Sequence, residues 1–368
     1  MWDPRFDRWA EVMVRYCLSL KEGDIFKIDA GGVEAQPLVE AVYRRALESG
    51  AHPYVRVSPF DLGEIFYETA SEAQLTFVFP HEEFEVDHVD ALLTIWTPGN
   101  LRGGSAIDPS RQALAARARQ ALSRKWMEKV DRGEIRWTGT LFPTVTQAQE
   151  SGMSLRRFRE FVFHALHLND PDPVAYWTRK GQQHARLVAR LNQARELHLL
   201  GEGTDLRLRV DGRTWISDDG RLNFPGGEVF TSPLEDATEG VVTFNMPSLY
   251  NGREVEGVRL VFKEGRVVQA EARKGEAFLK EMLALDEGAS RLGEFAIGTN
   301  ENIQTYVGHT LFDEKIGGTV HMALGHAFPQ AGGANVSALH WDLVFDLRQG
   351  GELRADGEPI LVDGVLKL

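Results

Sequence analysis

A histidine and an aspartate lie two residues apart in an apolar segment near the C-terminus. The segment ALHWDLVFDL covers residues 338–347 and contains His340 and Asp342. Because side chains alternate across a β-strand, these two would point to one face and Trp341 to the other. Burying an ionised carboxylate is costly unless another group pairs with it. A cation held by both side chains would meet that cost, and so would a hydrogen bond between them near a sheet edge.

Further acidic and imidazole side chains occur in apolar or glycine-rich segments of the same half of the chain. They are Glu228 in FPGGEVFTSP, Glu294 in RLGEFAIG, Glu314 in LFDEKIGGTVH and His321 in TVHMALGHAF. Taken singly, each has an ordinary structural explanation, such as a turn cap, a strand-edge charge, a solvated loop residue or a core histidine. Together with His340 and Asp342 they supply four carboxylates and two imidazoles, ligands that suit Zn, Co, Mn or Mg ions. Such a set would accommodate two metals about 3.5–4 Å apart, which activate a shared water for hydrolysis.

Composition restricts the class of protein. The 368 residues exceed one typical domain, and the hydrophobic (43%) and charged (26%) fractions are those of a globular protein. The net charge of −13 argues against a nucleic-acid partner. The N-terminus has no uninterrupted signal-peptide core, and no run of about 18 apolar residues predicts a membrane span. The lone Cys17 excludes an intramolecular disulfide and a cysteine-rich zinc site. We therefore expect a cytoplasmic protein without nucleic-acid or membrane partners.

The N-terminal half alternates strand and helix patterns. Apolar segments typical of strands are DIFKIDA (24–30), PYVRV (53–57) and VDALLTIW (89–96). Helical patterns follow, among them 109–130 and 174–193. Strand–helix alternation of this kind predicts an α/β domain with a mainly parallel sheet, to which we assign residues 1–194.

The C-terminal half, residues 195–368, has a different pattern and predicts an α+β, β-rich domain that binds metal. LRLRVDGRTWIS (206–217) is interpreted as a hairpin that turns at Asp211-Gly212. VRLVFKEGRVVQAEA (258–272) is interpreted as a second hairpin, turning near Glu264-Gly265. A single helix is predicted over 276–285.

Motifs in this half resemble those of the thermophilic aminopeptidase family that includes aminopeptidases T and S. They occur in the family's order over residues 223–344: NFPGGEVFTSP, the pair Glu239-Gly240, RLGEFAIG, TLFDEKIGGTVHMALG and NVSALHWDLV. The N-terminal half resembles the family more diffusely, through SLKEGDIFKI and TQAQESGMS. The resemblance implies a two-domain homodimer that removes N-terminal residues from peptides with the help of two divalent cations.

The resemblance also implies roles for individual residues. The metal ligands would be Glu228, Glu294, Glu314, His321, His340 and Asp342. The spacing between the acid and the histidine in EKIGGTVH is longer than in some members of the family. A carboxylate such as Glu228 or Glu294 would carry a proton to the leaving amine.

One position departs from the family pattern. Members usually have a tyrosine seven residues after the histidine of HMALG, where this sequence has Phe328. A phenol can donate a hydrogen bond to the oxyanion of the tetrahedral intermediate, and the loss of one such donor typically costs about 10²–10³ in rate. His326, two residues earlier, is a candidate substitute donor, although a surface or supporting role would also explain it.

Two other functions compete with the metalloaminopeptidase that we expect. Ring-cleaving dihydroxypyridine dioxygenases resemble this family and hold a single Fe(II) with a similar ligand set. The presence of all six candidate ligands favours two metals, whereas Phe328 favours the dioxygenase. The other alternative is a metal-stabilised homologue with weak or no peptidase activity, in which the metal site would be sealed from substrate.

Overall fold

The computed structural model describes residues 3–58, 62–97, 99 and 107–367. The chain divides into two compact units, Met1–Trp177 with Gly220–Phe224, and Thr178–Asp219 with Pro225–Leu368. No helix in the described ranges combines the length and apolar character that a membrane crossing requires.

A parallel sheet forms the centre of the first unit. Its strands are β1 (Ile25–Ala30), β2 (His52–Val57), β3 (Ala91–Trp96), β4 (Arg136–Leu141) and β8 (Asn223–Phe224). They lie in the order β2-β1-β3-β4-β8, and every neighbouring pair is parallel. The mainly parallel sheet predicted for this half is therefore confirmed.

Helices precede β1 and lie in the connections between the later strands, as the crossover between parallel strands requires. They are α1 (Arg5–Glu11), α2 (Gln36–Glu48), α3 (Leu62–Thr69), α4 (Glu72–Leu75), α5 (Pro80–His88), α6 (Pro109–Asp131), α7 (Val145–Glu150), α8 (Leu155–Ala165) and α9 (Pro173–Leu191). A π-helical turn, Val12–Cys17, continues α1. The side chain of Ser154 caps α8 by accepting a hydrogen bond from the Arg157 amide, and Trp9 packs edge-on against Phe163 in the core.

The compact units divide inside α9, at Trp177 and Thr178, whereas the predicted domain boundary lies after residue 194. The last turns of α9 carry Leu187 and Leu191, which are buried in the hydrophobic core of the second unit. Because of this packing, the C-terminal end of α9 belongs to the second unit, although it precedes the first strand of that unit. The boundary after residue 194 stays a prediction.

The second unit is β-rich, with two larger sheets and one small one. Its strands are β5 (Glu196–Gly201), β6 (Thr204–Arg209), β7 (Ile216–Asp218), β9 (Glu228–Thr231), β10 (Thr238–Thr243), β11 (Ser248–Tyr250), β12 (Arg253–Val255), β13 (Arg259–Lys263), β14 (Arg266–Glu271), β15 (Leu292–Gly298), β16 (Thr319–Gly325), β17 (His340–Asp346), β18 (Glu352–Ala355), β19 (Glu358–Val362) and β20 (Val365–Leu366). The helices are α10 (Glu276–Leu283) and α11 (Thr310–Asp313). The sheet orders are β14-β13-β10-β6-β5-β18-β19-β20, β11-β12 and β17-β16-β15-β9-β7. The predicted α+β character is confirmed.

One of the two predicted hairpins is confirmed and the other is wrong. Strands β13 and β14 pair directly, as predicted for 258–272. The segment 206–217 does turn at Gly212, but β6 pairs with β5 and β10 while β7 pairs with β9 in another sheet. The turn was predicted correctly. The strand after the turn pairs in a different sheet, and no local sequence pattern predicts that pairing.

The five-stranded sheet β17-β16-β15-β9-β7, here called the site sheet, has two chemically different faces. One face carries apolar side chains that belong to the core of the unit: Val229, Phe295, Ile297, Val320, Met322, Leu324, Trp341, Leu343 and Phe345. Because strand side chains alternate, the intervening residues all point to the opposite face. That face contains most of the polar residues singled out from the sequence.

Candidate metal centre

Strand register brings five of the six predicted ligands onto one face of the site sheet. Residues directly opposite one another in neighbouring strands point the same way. The register aligns Asp342 with Ala323, Ala323 with Glu294, Ala296 with His321, and Gly298 with Glu228. His340 lies two residues before Asp342 on the same strand and shares its face. The sixth ligand, Glu314, follows α11 and enters from the connection to β16.

The six side chains converge closely enough to share cations. Candidate ligand atoms lie within 4.8 Å of one another in three overlapping sets. The sets are Glu228–Glu294–His321, Glu294–His340–Asp342 and Glu314–His321–Asp342. We call Glu294, His340 and Asp342, which form one of these sets, the outer half of the centre. Glu228 and Glu314 share no set but both contact the Lys315 ammonium, and we call them the inner half; His321 belongs to a set with each of them.

Individual distances define the two halves. In the outer half, His340 Nε2 lies 3.4 Å from Glu294 Oε2 and 3.7 Å from Asp342 Oδ1. Between the halves, His321 Nε2 lies 3.4 Å from Glu228 Oε2 and 3.6 Å from Glu294 Oε1. These separations are too long for strong hydrogen bonds and are compatible with a cation between the groups.

Backbone carbonyls fix the orientation of both imidazoles. The Nδ1 atom of His321 lies 3.0 Å from the Glu314 carbonyl oxygen, and Nδ1 of His340 lies 2.9 Å from that of His326. A carbonyl only accepts, so each Nδ1 must carry the proton and donate it. Each Nε2 atom is then directed at the centre, the arrangement that metal-binding histidines adopt.

Buried polar atoms that have no hydrogen-bond partner indicate whether the six side chains are suited to bind a metal ion. Within the described part of the chain, Glu228 Oε2, His321 Nε2 and Asp342 Oδ1 are buried and have no hydrogen bond. Unsatisfied buried groups are costly and uncommon in native proteins. Coordination to a divalent cation would satisfy all three atoms, and carboxylate and imidazole are suitable ligands for Zn, Co or Mn. The residues therefore fit such a cation.

The packing of like and unlike charges shifts the pKa values of the centre. Burial by itself lowers the pKa of His321, but Glu294 and Glu228 outweigh burial and raise it to about 10. The pKa of His340 is likewise raised to about 9, by Glu294 and Asp342 against the effect of burial. Because a ligand must lose its proton, cation binding competes with protons at these two imidazoles.

The carboxylates of the centre shift in opposite directions. Burial raises the pKa of Glu228 to about 8 and that of Asp342 to about 6. Burial also acts to raise the pKa of Glu294, but the two neighbouring imidazoles outweigh it and lower the pKa to about 2. Glu294 is therefore held ionised, whereas Glu228 can exchange a proton near neutral pH.

Sequence reasoning missed two charged residues in the inner half. Lys315 is fully buried, and its Nζ atom lies 2.5 Å from Glu314 Oε1, 3.0 Å from Glu228 Oε1 and 3.7 Å from Asp218 Oδ2. Asp218 reaches this position because β7 pairs with β9, which places it opposite Glu228. Burial by itself lowers the pKa of Lys315, but the surrounding carboxylates hold it well above its usual value. The only signal in the sequence was a lysine between Glu314 and the apolar, glycine-rich IGG.

A β-bulge positions Glu294. The pairing of β15 with β16 shifts between Leu292 and Glu294, so that Gly293 is the extra residue. A β-carbon at Gly293 would lie 2.1 Å from the His326 carbonyl oxygen, so only glycine fits there. The bulge thus aims Glu294 at the centre and keeps the backbone of His326 close to the sheet.

A cavity of about 270 Å³ adjoins the outer half. Its lining includes the ligands Glu314, His340 and Asp342, together with Asp313, which accepts hydrogen bonds from the amides of Val307 and His309. Apolar and aromatic walls complete the cavity: Leu249, Tyr250, Tyr306, Trp341 and Val344. A small organic molecule could thus bind with a polar group against the ligands and an apolar group against these walls.

His326 and Phe328 both lie next to the outer half, but in different ways. The His326 residue is exposed, and its contact with the centre runs through the backbone carbonyl that holds His340. The Phe328 ring packs edge-on against the His340 imidazole, with ring centroids 5.3 Å apart, and also against Phe230 at 5.1 Å. A group on the Phe328 ring would therefore be close to a predicted metal ligand.

Comparison with known proteins gives a consistent result. The chain matches a family model described as thermophilic metalloprotease (M29) over residues 2–364. It is 31% identical to Aminopeptidase 2 of Geobacillus stearothermophilus, over 89% of this chain and 85% of that protein. It is 28% identical to Aminopeptidase T of Thermus aquaticus, over 97% and 95% of the two chains. The solved structure of wild-type AmpT from Thermus thermophilus superposes with a TM-score of 0.84 at 25% identity and covers all of both chains.

Proposed function

The chain belongs to the thermophilic metalloprotease family M29, and on this premise we propose that its predicted domain 195–368 contains the catalytic centre of a metal-dependent aminopeptidase. The protein is a peptide hydrolase of the metalloaminopeptidase type, and it acts on peptides with the help of divalent metal. The comparisons give no support to the ring-cleaving dioxygenase alternative. The observation that carries the proposal for the site is the meeting of six carboxylate and imidazole side chains beside a cavity.

The six side chains would together hold two divalent cations, with Zn, Co, Mn and Mg as candidates. Glu294, His340 and Asp342 would serve one of them, and Glu228 and Glu314 the other, with His321 between. When bound, the cations supply a polarising charge for the scissile carbonyl and lower the pKa of a water molecule between them. Three ligand atoms, Glu228 Oε2, His321 Nε2 and Asp342 Oδ1, are buried without a hydrogen bond and support this assignment, because a cation would satisfy them.

The cavity beside the outer half would receive the N-terminal residue of the peptide. The free α-amine of a peptide is cationic near neutral pH, and the carboxyl groups of Glu314 and Asp342 line the cavity. The first side chain would pack against apolar walls such as Leu249 and Tyr250. This geometry favours substrates with an apolar or aromatic N-terminal residue and disfavours a second cationic group at that position.

Two carboxylates are candidates for carrying a proton from water to the leaving amine. A proton carrier works best when its pKa lies near the working pH. The pKa of Glu228 is raised by burial to about 8, whereas the imidazoles outweigh burial at Glu294 and lower its pKa to about 2. We therefore assign the proton-carrying role to Glu228 and the role of a permanently ionised ligand to Glu294.

His326 remains a candidate for catalysis, but we assign its contribution to the main chain. Its carbonyl accepts the hydrogen bond that orients His340, and its residue is exposed. An imidazole that donated directly to the oxyanion would have to reach the cavity, and His326 does not line it. The donor that other members supply through tyrosine would then be lacking beside Phe328.

The family resemblance also leads us to propose a homodimer. Light scattering at micromolar concentration should give twice the single-chain mass of 41.2 kDa. A mass equal to that of one chain would contradict the dimer. Cys17 is free and buried, so we expect the dimer to form without a disulfide. The cytoplasmic location expected from the sequence stays a prediction.

The proposed function is tested by metal content and turnover measured together. Elemental analysis of the purified protein after equilibration with Zn²⁺, Co²⁺, Mn²⁺ or Mg²⁺ gives the number of ions per chain. A panel of aminoacyl substrates gives the N-terminal preference, and an N-acetylated substrate serves as the control because it has no free α-amine. Metal-dependent release of apolar N-terminal residues supports the proposal. Metal binding without turnover of any substrate would instead favour the homologue without peptidase activity.

A further inference from the structure

Lys315 contacts both carboxylates of the inner half of the centre. Its side chain is fully buried, and Nζ is within hydrogen-bonding distance of Glu228 Oε1 and Glu314 Oε1. Asp218 completes the acidic surroundings at 3.7 Å. A buried ammonium is tolerated only when it is paired and hydrogen-bonded, and here three carboxylates surround it.

A divalent cation in the inner half would have to share Glu228 and Glu314 with this ammonium, which contacts Oε1 of each. Both Glu228 and Glu314 are ligands in the proposed centre, and each directs one carboxylate oxygen at Lys315 Nζ. An ammonium and a divalent cation at neighbouring positions repel each other, and burial strengthens the repulsion. Glu228 Oε2 is buried without a hydrogen bond and stays available to a cation, so the Lys315 ammonium opposes cation binding through repulsion and not by occupying that oxygen.

The outer half has no such competitor. In the described part of the chain, the ion pairs of Glu294, His340 and Asp342 are with one another or with His321, and none is with a lysine or an arginine. The Asp342 Oδ1 atom is buried and has no hydrogen bond. A cation can enter this half without displacing a fixed positive charge.

We propose that Lys315 is the resident positive charge of the inner half and competes with the second divalent cation, so that the two metal positions differ strongly in affinity. The outer half fills first, and the inner half fills second because its cation lies beside the Lys315 ammonium that shares Glu228 and Glu314. The inference rests on the proposed six-ligand centre. It adds to that proposal by stating which of the two positions is empty when the concentration of divalent metal is low.

Metal titration of the stripped protein tests this inference. Mn²⁺ binding is measured by calorimetry on the wild type, on Lys315→Met and on Lys263→Met, an exposed lysine of β13 that serves as the matched control. We expect the wild type to bind the second Mn²⁺ at least about tenfold more weakly than the first. Lys315→Met should strengthen the second step by about tenfold or more and leave the first within about twofold. Lys263→Met should match the wild type.

Electron paramagnetic resonance supplies a readout independent of turnover. At a concentration of Mn²⁺ at which the wild type holds one ion per chain, its spectrum should be that of isolated Mn²⁺. Lys315→Met should show an exchange-coupled pair at the same concentration, because both positions are then occupied. An isolated-ion spectrum from a folded Lys315→Met that binds two ions would overturn the inference.

Thermal unfolding separates competition from a purely structural role. Removing Lys315 leaves the buried Glu228 and the partly buried Glu314 without their cationic partner, which destabilises the metal-free protein. Added Mn²⁺ should therefore raise the Tm of Lys315→Met more than that of the wild type. Lys315→Arg keeps the positive charge and should keep the weak second step.

Three further results of the Mn²⁺ titration would contradict the role proposed for Lys315. If Lys315→Met does not fold, the wild type still tests the inference, because two equal and tight Mn²⁺ affinities would overturn it while leaving the proposed centre intact. If a folded Lys315→Met binds its second Mn²⁺ no better than the wild type, the inference is also overturned. If the wild type binds no divalent cation at all, the proposed centre fails together with it.

Discussion

The inner and outer halves of the metal centre share one face of the site sheet but differ in their surroundings. In the inner half, the side chain of Glu228 is 7% exposed and that of Lys315 is fully buried. In the outer half, the side chain of His340 is 33% exposed and that of Asp342 14% exposed, and both line the cavity. Exposure alone does not separate the carboxylates, because Glu314 of the inner half is also 14% exposed and lines the cavity. The buried ammonium of Lys315 is what distinguishes the inner half.

This difference indicates a division of work within the centre. The outer half is the side that a peptide can reach, because the cavity with apolar walls adjoins it. The inner half is where charge is balanced, because Lys315 lies among Glu228, Glu314 and Asp218. With His321 shared, the two halves have ligands of the same chemical types. They differ in the groups around those ligands, which are a lysine in the inner half and a cavity with apolar walls beside the outer half.

The largest effect should follow the loss of an outer ligand. Asp342→Ala removes a carboxylate at the accessible position, so we expect metal affinity and turnover to fall together by more than about 100-fold. Elemental analysis and kcat/KM on an aminoacyl substrate measure the two quantities. Asp346→Ala is the matched control, because Asp346 lies on the same strand but pairs with Arg348, and it should retain both. A fully active Asp342→Ala would contradict the assignment of the outer half.

Glutamine variants of Glu228 and Glu294 should show which of the two carboxylates carries the proton and which serves as a metal ligand. Glu228→Gln should lower kcat by about 10²–10⁴, the range typical of general acid–base catalysis, while the first metal ion is retained. Glu294→Gln should instead reduce metal occupancy, because Glu294 contacts both imidazoles.

Metal content and kcat measured on both variants decide between these roles. Glu271→Gln, an exposed carboxylate on β14, serves as the control for the substitution itself. If Glu228→Gln lost its first metal ion and Glu294→Gln kept it, the two assigned roles would have to be exchanged.

A smaller effect, of opposite sign, is expected at Phe328. Phe328→Tyr adds a hydroxyl to a ring that packs against His340, where it could donate to the developing oxyanion. Such a donor is worth about 10²–10³ in rate where it is preorganised, and we expect a gain of at least about tenfold in kcat. KM and metal affinity should change little, because the oxyanion exists only in the transition state. Phe230→Tyr adds the same oxygen to the neighbouring ring and should give no gain.

The smallest effect should be that of His326→Ala. The contact of this residue with the centre is the hydrogen bond from His340 to its carbonyl, and alanine keeps that carbonyl. We therefore expect kcat and metal affinity to stay within about twofold, the range of an ordinary surface substitution. Steady-state kinetics on the panel substrate measures it. A large loss of kcat with metal retained would show that the imidazole itself donates to the reaction, and would reassign the role that we give to the main chain.

Much of the fold followed from local patterns. The alternation in ALHWDLVFDL predicted that His340 and Asp342 share a face, and they do so on β17. The 258–272 hairpin was predictable because its strands are close in sequence and pair with each other. The 206–217 segment has an equally clear turn, yet its strands join different sheets. Local signals therefore specify turns and strands, but not the partners of those strands.

The sequence by itself determined the ligand types and the strand periodicity that places Glu294, His321 and Asp342 opposite the apolar core. Only the tertiary structure decided that these residues meet Glu228 and Glu314, and that Lys315 lies buried among them. The physical reason is that side-chain alternation is a property of each strand, whereas convergence depends on register between strands that are distant in sequence, such as β9 and β15. From the sequence alone, a lysine after Glu314 is interpreted as a solvated loop residue. In the structure, β7 pairs with β9, and this pairing places Asp218 and Glu228 around the Lys315 ammonium.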